Sequence, residues 1–273
     1  MNFAVVKQTL SEMLPMAFNA LRFSVASIFL FLVLARSEGG FLLDKKDLKG
    51  ILVLGVIGHT AYQYLFINGI ARTTASLSAL MLATCPVFVA LLGLVVERKM
   101  PSWKVLLGAL LSLTGVFLLV YGSHPDFASA EKHVLGAAFV LAGSVCWAVY
   151  TVLSKPHLTR YSPLRVTATT VVLGTVILDI LAVPSLLTQE WSKISLAGWV
   201  GFTYSCGLAI VLGYIIWAIG IHRIGPEKTA VYQNLTPVIA TVASYLLLGE
   251  TLRVVQVAGA GKVFLGIYLA RKA

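Results

Sequence analysis

An apolar segment near residue 60 carries three polar side chains on one helical face. His59, Tyr62, Gln63 and Phe66 follow the i, i+3, i+4, i+7 spacing of an α-helix. Polar groups inside lipid are costly unless they are paired or face a cavity, so this face is a candidate ligand site. Because an unperturbed histidine titrates near pH ~6.5, His59 allows two hypotheses: coupling to a proton gradient, or a neutral histidine packed against another helix.

Two prolines lie inside apolar segments beside further polar residues. Gln233 and Asn234 precede Pro237, and Thr84 precedes Pro86 in a matching segment. A proline inside a helix removes a backbone donor and leaves a carbonyl group without its usual partner, so we predict a kink in each segment. Interrupted membrane helices at corresponding positions are typical of transporter sites, whereas kinks that only shape helix packing are the alternative.

Aromatic side chains are the third group of candidates. Trp147 and Tyr150 are three residues apart and share a helical face, while Tyr214 lies deeper in its segment than an interfacial tyrosine would. Aromatic walls suit an apolar or aromatic ligand, although helix packing explains single aromatics equally well. The predicted ligand-binding set is His59, Tyr62, Gln63, Thr84, Trp147, Tyr150, Tyr214, Trp217, Gln233 and Asn234.

Four charged residues lie in or beside apolar segments. Lys7 and Lys155 are predicted at opposite mouths of a pathway, where they would attract a carboxylate at alternate gates. The alternative is that each lysine extends its ammonium group to the membrane interface. For Arg22 and Asp179, structural pairing or interfacial placement is favoured over transport chemistry.

The elements that hold these residues are membrane helices. The chain has 273 residues, of which 58% are apolar and 12% charged, and its mean hydropathy is +0.89. This composition cannot cover a water-facing surface, and apolar runs of about 20 residues are long enough to span lipid. We predict spans near residues 15–36, 48–70, 74–96, 102–121, 134–155, 162–187, 195–219, 226–248 and 251–271, after a short apolar start at residues 1–10.

The second half of the chain repeats the first at an offset of 151 residues. Near the start, Lys7 matches Lys155 and Pro15 matches Pro163 at an offset of 148, so the first helix is predicted to be N-terminally shortened. Because each half has five helices, an odd number, the second half begins on the opposite side of the bilayer and is inverted relative to the first. We therefore predict an all-α membrane protein of ten transmembrane helices in two inverted five-helix repeats, residues 1–125 and 126–273. The pairs are Gly50 with Gly201, Gly69 with Gly220, Arg72 with Arg223, Pro86 with Pro237, Gly108 with Gly259, and Gly115 with Gly266.

Basic residues predict the orientation. The net charge is +10, and fourteen lysines and arginines fall in connections on one side of the predicted bundle, against four on the other. Because positive loops stay cytoplasmic, we expect a multi-pass protein of the cytoplasmic (inner) membrane with both termini inside. The charges are spread over separate loops without a nucleic-acid-binding motif, so no nucleic-acid partner is expected.

Several short motifs resemble those of a known family. The start Asn2-Phe-Ala-Val-Val-Lys7, the segment Ala20-Leu-Arg22-Phe23 and the proline segments Cys85-Pro86-Val87 and Thr236-Pro237-Val238 resemble EamA-type members of the drug/metabolite transporter superfamily. The resemblance covers nearly the whole chain. It implies a ten-helix carrier in which the first, third, fourth, sixth, eighth and ninth helices line a central cavity.

These features predict a secondary active exporter of small metabolites that works by alternating access. Amino acids or related amphipathic solutes are the favoured substrates; a drug or toxic-compound efflux carrier and a passive channel or facilitator are the alternatives. No enzyme motif is supported by its context, and no cofactor or metal is expected. Small residues seven apart favour close helix packing within one chain or between two, so a monomer and a homodimer both stay open. These residues are Gly108, Gly115, Gly259 and Gly266.

Overall fold

The protein is all-helical throughout the part that a computed structural model describes, which comprises residues 2–40, 43–98, 100–123, 134–248 and 253–273. The predicted boundary between residues 125 and 126 lies outside these ranges. We number the α-helices along the chain. They are α1 (Asn2–Thr9), α2 (Pro15–Glu38), α3 (Lys45–Gly55), α4 (Tyr62–Arg72), α5 (Ala75–Leu82), α6 (Cys85–Glu97), α7 (Trp103–Ser123), α8 (Val134–Leu158), α9 (Pro163–Thr188), α10 (Leu196–Tyr204), α11 (Gly213–Ile224), α12 (Pro226–Tyr232), α13 (Leu235–Leu248) and α14 (Val254–Arg271).

Eight helical segments of the described chain are long and apolar enough to cross a membrane. Large apolar side chains on their outer faces are exposed, among them Val95 at 73% and Leu187 at 82%. Side chains of this kind would be costly in water and are stable in lipid. The chain is therefore a multi-pass membrane protein. The eight segments are Pro15–Glu38, Lys45–Arg72, Ser76–Val96, Trp103–Gly122, Val134–Leu158, Pro163–Thr188, Leu196–Ile224 and Val254–Arg271.

Two of the predicted spans are interrupted near their middle. The helix that contains Pro86 breaks at residues 83–84, between α5 and α6, and the helix that contains Pro237 breaks at residues 233–234, between α12 and α13. In each case the proline lies in the first turn of the following helix, where its missing N–H costs no hydrogen bond. Each break leaves short stretches of backbone and side-chain polarity inside the bundle.

Two other spans contain a wider helical turn. The π-helical stretch Val56–Ala61 joins α3 to α4, and Ser205–Leu212 joins α10 to α11. Insertions of this type are rare and frequently lie at functional sites, because they rotate the side chains that follow relative to those that precede. At the sequence offset of 151 residues, residues 56–61 correspond to residues 207–212, which lie within the second π-helical stretch.

The helices α7 and α14 pack closely through glycine. A Cβ atom built on Gly108 would lie 2.5 Å from the carbonyl oxygen of Gly266, and one built on Gly115 would lie 2.6 Å from that of Gly259. As the residue number rises along α7, the partner's number falls along α14, so the two helices are antiparallel. Only glycine allows backbones to approach this closely.

Polar contacts join the connections at the two ends of the bundle. At one end, Arg160 Nη1 lies 2.7 Å from Asp47 Oδ1, and Arg165 Nε lies 3.3 Å from Glu38 Oε2. At the other end, the backbone N–H of Ser195 donates to Glu12 Oε2 over 2.7 Å. These contacts fix how α2, α3, α8, α9 and α10 stand beside one another around the interior.

Candidate functional site

A cavity of about 540 Å³ lies inside the bundle. Its volume is within the range of sites for small ligands, ~300–1,000 Å³. None of the described residues that line it is charged. They are Tyr62, Phe66, Ala79, Leu82, Ala83, Trp147, Ala209, Gly213, Tyr214, Ile216, Trp217, Gly220, Ile224, Thr229, Tyr232, Gln233, Asn234, Thr236 and Pro237.

Trp147 of α8 is the centre of an aromatic wall. Its ring centroid lies 5.0 Å from that of Tyr62, 5.2 Å from that of Tyr214 and 5.4 Å from that of Trp217. The indole N–H of Trp217 donates to Thr151 Oγ1 over 3.2 Å, which holds that ring in place. Rings at these separations stabilise one another and leave flat apolar surfaces toward the cavity.

The break between α12 and α13 provides the polar part of the wall. Asn234 is 1% exposed, and its Nδ2 donates to Ser112 Oγ over 2.8 Å and to the carbonyl oxygen of Ala83 over 3.4 Å. Its Oδ1 has no donor among the described residues, and neither has Oε1 of the neighbouring Gln233. Two acceptor oxygens are therefore left unsatisfied beside the cavity, and unsatisfied buried acceptors favour a ligand that donates hydrogen bonds.

The predicted polar face from His59 to Phe66, in the segment Lys45–Arg72, is divided between two environments. Tyr62 and Phe66 line the cavity, whereas His59 and Gln63 point into the packed interior. His59 is fully buried, and its Nε2 lies 3.1 Å from Thr170 Oγ1. This is the environment that the packed-histidine hypothesis describes. A helical face about 100° wide can straddle two surroundings, which spacing alone does not resolve.

Tyr150 and Thr84 also lie beside the cavity without lining it. Tyr150 is 2% exposed, with its ring 4.9 Å from Trp147 and 5.1 Å from His59. Thr84 Oγ1 donates to the carbonyl oxygen of Met81 over 2.5 Å, which satisfies a carbonyl group at the α5–α6 break. Both residues support the wall from behind.

Arg22 of α2 lies in a buried polar network that spacing did not reveal. It is 2% exposed, and its guanidinium group donates to Asn19 Oδ1, Ser205 Oγ and Gln63 Oε1 over 2.7–2.9 Å. Gln63 Nε2 in turn donates over 2.6 Å to the hydroxyl group of Tyr214, which lines the cavity. The network therefore reaches the cavity wall through Gln63.

Lys7 and Lys155 lie near helix ends. Lys7 Nζ donates to the carbonyl oxygens of Ile70, Ala71 and Thr73 over 2.8–3.1 Å, at and beyond the C-terminus of α4. A cation at this position satisfies carbonyl groups that have no helical partner. Lys155 is half-buried in the last turn of α8. Neither lysine is among the cavity-lining residues.

Asp179 lies in a separate groove. Ser24 Oγ donates to Asp179 Oδ2 over 2.8 Å, while Asp179 Oδ1 has no partner among the described residues. The groove is otherwise apolar and lies between α2 and α9. No cluster of three potential metal ligands occurs in the described ranges.

Sequence reasoning missed most of the apolar lining. Gly213, Gly220 and Ile224 extend a row with Trp217 along α11, and this i, i+4, i+7, i+11 spacing was available as a signal. Small residues such as Ala79 and Ala209 gave none, because a small apolar side chain is compatible with helix packing as well as with a cavity wall.

Comparisons with known proteins agree with this architecture. A transporter of Bacillus subtilis named "Uncharacterized transporter YyaM" is 29% identical, with 98% of this chain and 88% of the relative covered. A "Probable amino-acid metabolite efflux pump" of Salmonella typhimurium is 28% identical, with 98% and 89% covered. A "Probable terminal-alkyne amino-acid exporter" of Streptantibioticus cattleyicolor is 27% identical, with 83% and 74% covered.

A solved crystal structure shares the fold. Its TM-score is 0.81 at 17% identity, with 98% of this chain and 90% of that chain covered. The model of the EamA-like transporter family matches residues 1–121 and 134–271, which is nearly the whole chain. The protein therefore belongs to the EamA-like transporter family and is a membrane transporter rather than an enzyme.

Proposed function

We propose that this protein exports small metabolites, most favourably amino acids or related amphipathic solutes, by exposing the cavity alternately to the two sides of the membrane. The observation that carries the proposal is the composition of the cavity lining: aromatic rings, two unsatisfied amide oxygens and no charged residue among the described residues. The aromatic rings suit an apolar side chain, and the amide oxygens suit an ammonium group. The names of two relatives, an amino-acid metabolite efflux pump and a terminal-alkyne amino-acid exporter, support this substrate class.

The proposed mechanism requires two inverted repeats, and contacts between equivalent residues support them. At the offset of 151 residues Gln63 corresponds to Tyr214, and these two side chains are hydrogen-bonded to each other. At the offset of 148, Ser27 corresponds to Thr175, and their hydroxyl groups are 2.9 Å apart. A residue contacts its own equivalent only where a two-fold axis passes between them.

The glycine contacts follow the same symmetry. Gly108 approaches Gly266 and Gly115 approaches Gly259, although the repeat pairs Gly108 with Gly259 and Gly115 with Gly266. Crossed pairs of this kind, between antiparallel helices, are the pattern that a pseudo-two-fold axis in the membrane plane produces. We assign residues 1–125 and 126–273 to the two repeats.

The ten proposed helices map onto the observed elements. We assign α1 to the first helix, α12 and α13 together to the ninth, and the eight long segments to the rest. At one end of the bundle, Glu38, Asp44 and Asp47 contact residues 160–165, which follow α8. Basic residues are concentrated around both of these segments. We propose that this end and both termini are cytoplasmic and that the membrane is the inner membrane. The cavity lies within one chain, so the proposed transport unit is the monomer.

The two alternatives differ from this proposal in testable ways. A carrier for drug-like cations would be served by an acidic residue in the cavity, and Asp179 lies in a different groove. A passive channel would not show saturable counterflow. Counterflow requires a binding site that carries solute in both directions across the membrane, and an open channel has no such site. Counterflow therefore separates carrier from channel, and the competing solutes separate amino acids from cations.

The experiment uses purified protein in proteoliposomes preloaded with an unlabelled amino acid mixture. We expect transient accumulation of external labelled leucine or phenylalanine, saturable with concentration. Gln233→Ala should reduce it about tenfold, because Gln233 lines the cavity and the loss of a charged hydrogen bond costs about 1.5–3 kcal/mol. Ile239→Ala on α13, which is 55% exposed, is the matched control and should transport normally.

Two results would contradict the proposal. Linear, non-saturating flux without counterflow would identify a channel or facilitator. Saturable counterflow of organic cations, but not of amino acids, would identify a drug carrier.

Asn234→Ala should also impair counterflow while the protein still inserts into the membrane. Normal flux in both amide variants would move the binding site away from the α12–α13 break.

A further inference from the structure

We propose that the Tyr214 hydroxyl group is the hydrogen-bond donor for a carboxylate group of the ligand, and that Arg22 holds it in this role through Gln63. The inference rests on the proposed substrate class and specifies which part of the ligand this side of the cavity recognises. Tyr214 would be the binding residue, and Arg22 and Gln63 would be positioning residues.

The setting of Arg22 is the first step of the argument. Its guanidinium group is deeply buried, and no carboxylate oxygen of the described residues lies within 4.0 Å of it. Its hydrogen-bond partners, Asn19, Gln63 and Ser205, are all neutral. A buried positive charge with neutral partners is costly inside a membrane and marks a functional site. An anionic ligand group nearby would offset that cost.

The direction of the hydrogen bonds is the second step. A guanidinium group only donates, so the Gln63 oxygen must face Arg22 and the amide orientation has no alternative. The Gln63 N–H group then faces Tyr214 and donates to its oxygen over 2.6 Å. Because the Tyr214 oxygen accepts this bond, its own hydrogen is free to donate elsewhere.

The position of Tyr214 is the third step. Tyr214 lines the cavity, and its hydroxyl hydrogen has no acceptor among the described residues. Chains of hydrogen bonds that start at a charge strengthen the last donor. The residues that line the cavity therefore include one activated donor, at Tyr214, and two buried acceptor oxygens without a donor among the described residues, at Gln233 and Asn234. This combination complements the carboxylate and ammonium groups of one amino acid.

The binding experiment compares two ligands that differ only in the carboxylate. L-phenylalanine and phenethylamine share the ring and the amine, and the intrinsic fluorescence of the purified full-length protein reports binding, since Trp147 and Trp217 line the cavity. The quantity measured is the ratio of the two dissociation constants. Tyr214→Phe removes only the donor, so we expect the preference for phenylalanine to fall at least about tenfold.

Gln63→Glu is the sharper variant, because it preserves shape and reverses the relay. A carboxylate at position 63 would accept from both Arg22 and Tyr214, turn the Tyr214 hydrogen away from the cavity and neutralise the guanidinium charge. We expect the same loss of preference, with an unfolding temperature at or above that of the wild type. Tyr62→Phe makes the same chemical change at a cavity tyrosine that has no part in the relay, and should alter both affinities in parallel.

The outcomes separate this inference from the proposed function. If both ligands bind and neither Tyr214→Phe nor Gln63→Glu changes their ratio, the carboxylate assignment is wrong while amino-acid export stands. If phenethylamine binds wild type as tightly as phenylalanine does, the inference also fails. If neither ligand binds and labelled amino acids show no counterflow, the proposed substrate class fails and takes the inference with it.

Discussion

The glycine contact between α7 and α14 can be tested with the same glycine-to-alanine substitution at two positions of α14. We expect the substitution to destabilise the protein at one position and to stabilise it at the other, two residues away. A Cβ atom at Gly259 would lie 2.7 Å from the carbonyl oxygen of Gly115 and 3.0 Å from the backbone nitrogen of Leu119. A Cβ atom at Gly261, in the same helix, would meet no atom within 4 Å. Gly259→Ala and Gly261→Ala are therefore a matched pair.

The contacts set the expected magnitudes. Overpacking costs about 1–3 kcal/mol, and the upper part applies at Gly259 because the atoms in contact are backbone that cannot rotate away. Alanine also stabilises a helix by about 1 kcal/mol relative to glycine, which leaves a net loss of roughly 1–2 kcal/mol for Gly259→Ala. At Gly261 only the gain of about 1 kcal/mol remains.

Thermal unfolding of the purified protein in detergent measures both effects. At about 2–4 °C per kcal/mol, Gly259→Ala should lower the unfolding temperature by roughly 2–8 °C, and Gly261→Ala should raise it by a few degrees. Shifts of the same sign and size in the two variants would refute the packing argument, because they would mean that α7 does not constrain α14.

Three further predictions concern groups outside the cavity. Lys7→Met should lower the free energy of unfolding by about 1–3 kcal/mol, because it leaves carbonyl groups at the end of α4 without their donor; transport loss with unchanged stability would instead favour a gating role. His59→Gln should leave the pH dependence of counterflow unchanged, since His59 is buried away from the cavity; a shifted pH profile would favour proton coupling. Asp47→Asn should lower the unfolding temperature slightly in low salt and less in high salt, because Asp47 is paired with the half-exposed Arg160; an effect independent of salt would assign the loss to the hydrogen bond from Tyr161.

The membrane class and the helix positions could be predicted because lipid imposes a length and a composition on each span. All eight long segments of the described chain overlap predicted spans, and the helix breaks at residues 83–84 and 233–234 fall in the two segments where a kink was predicted. Pro156 and Pro184, by contrast, lie inside unbroken helices, so a proline alone does not decide where a helix ends. The resemblance to the EamA family is confirmed by the family model.

The two π-helical stretches were outside the reach of sequence reasoning. No proline or glycine pattern distinguishes Val56–Ala61 from an ordinary turn, yet this stretch precedes Tyr62 and Gln63 directly. Tyr62 and Gln63 are successive residues, and their side chains are only about 100° apart around the helix axis, yet one lies in the cavity wall and the other in a packed network. The cavity-facing role of Tyr62 and the interior role of Gln63 depend on the neighbouring helices.

The partners of the charged residue Arg22 could not be predicted from the sequence either. A lone arginine in an apolar segment is compatible with an acidic partner, an interfacial position or a functional role. Hydropathy does not show which side chains surround the arginine, so it cannot decide between these possibilities. Asn19 lies on α2 itself, and only the approach of α2 to α4 and to the stretch Ser205–Leu212 brings Gln63 and Ser205 to the guanidinium group.

By itself, the sequence determined that this chain spans a membrane repeatedly and which segments do so, because these properties follow from local composition and length. The tertiary structure alone decided which polar groups meet each other and which meet the cavity. The physical reason is that lipid and packed protein are equally apolar to a single side chain, so only the neighbouring helices distinguish a wall, a network and a surface.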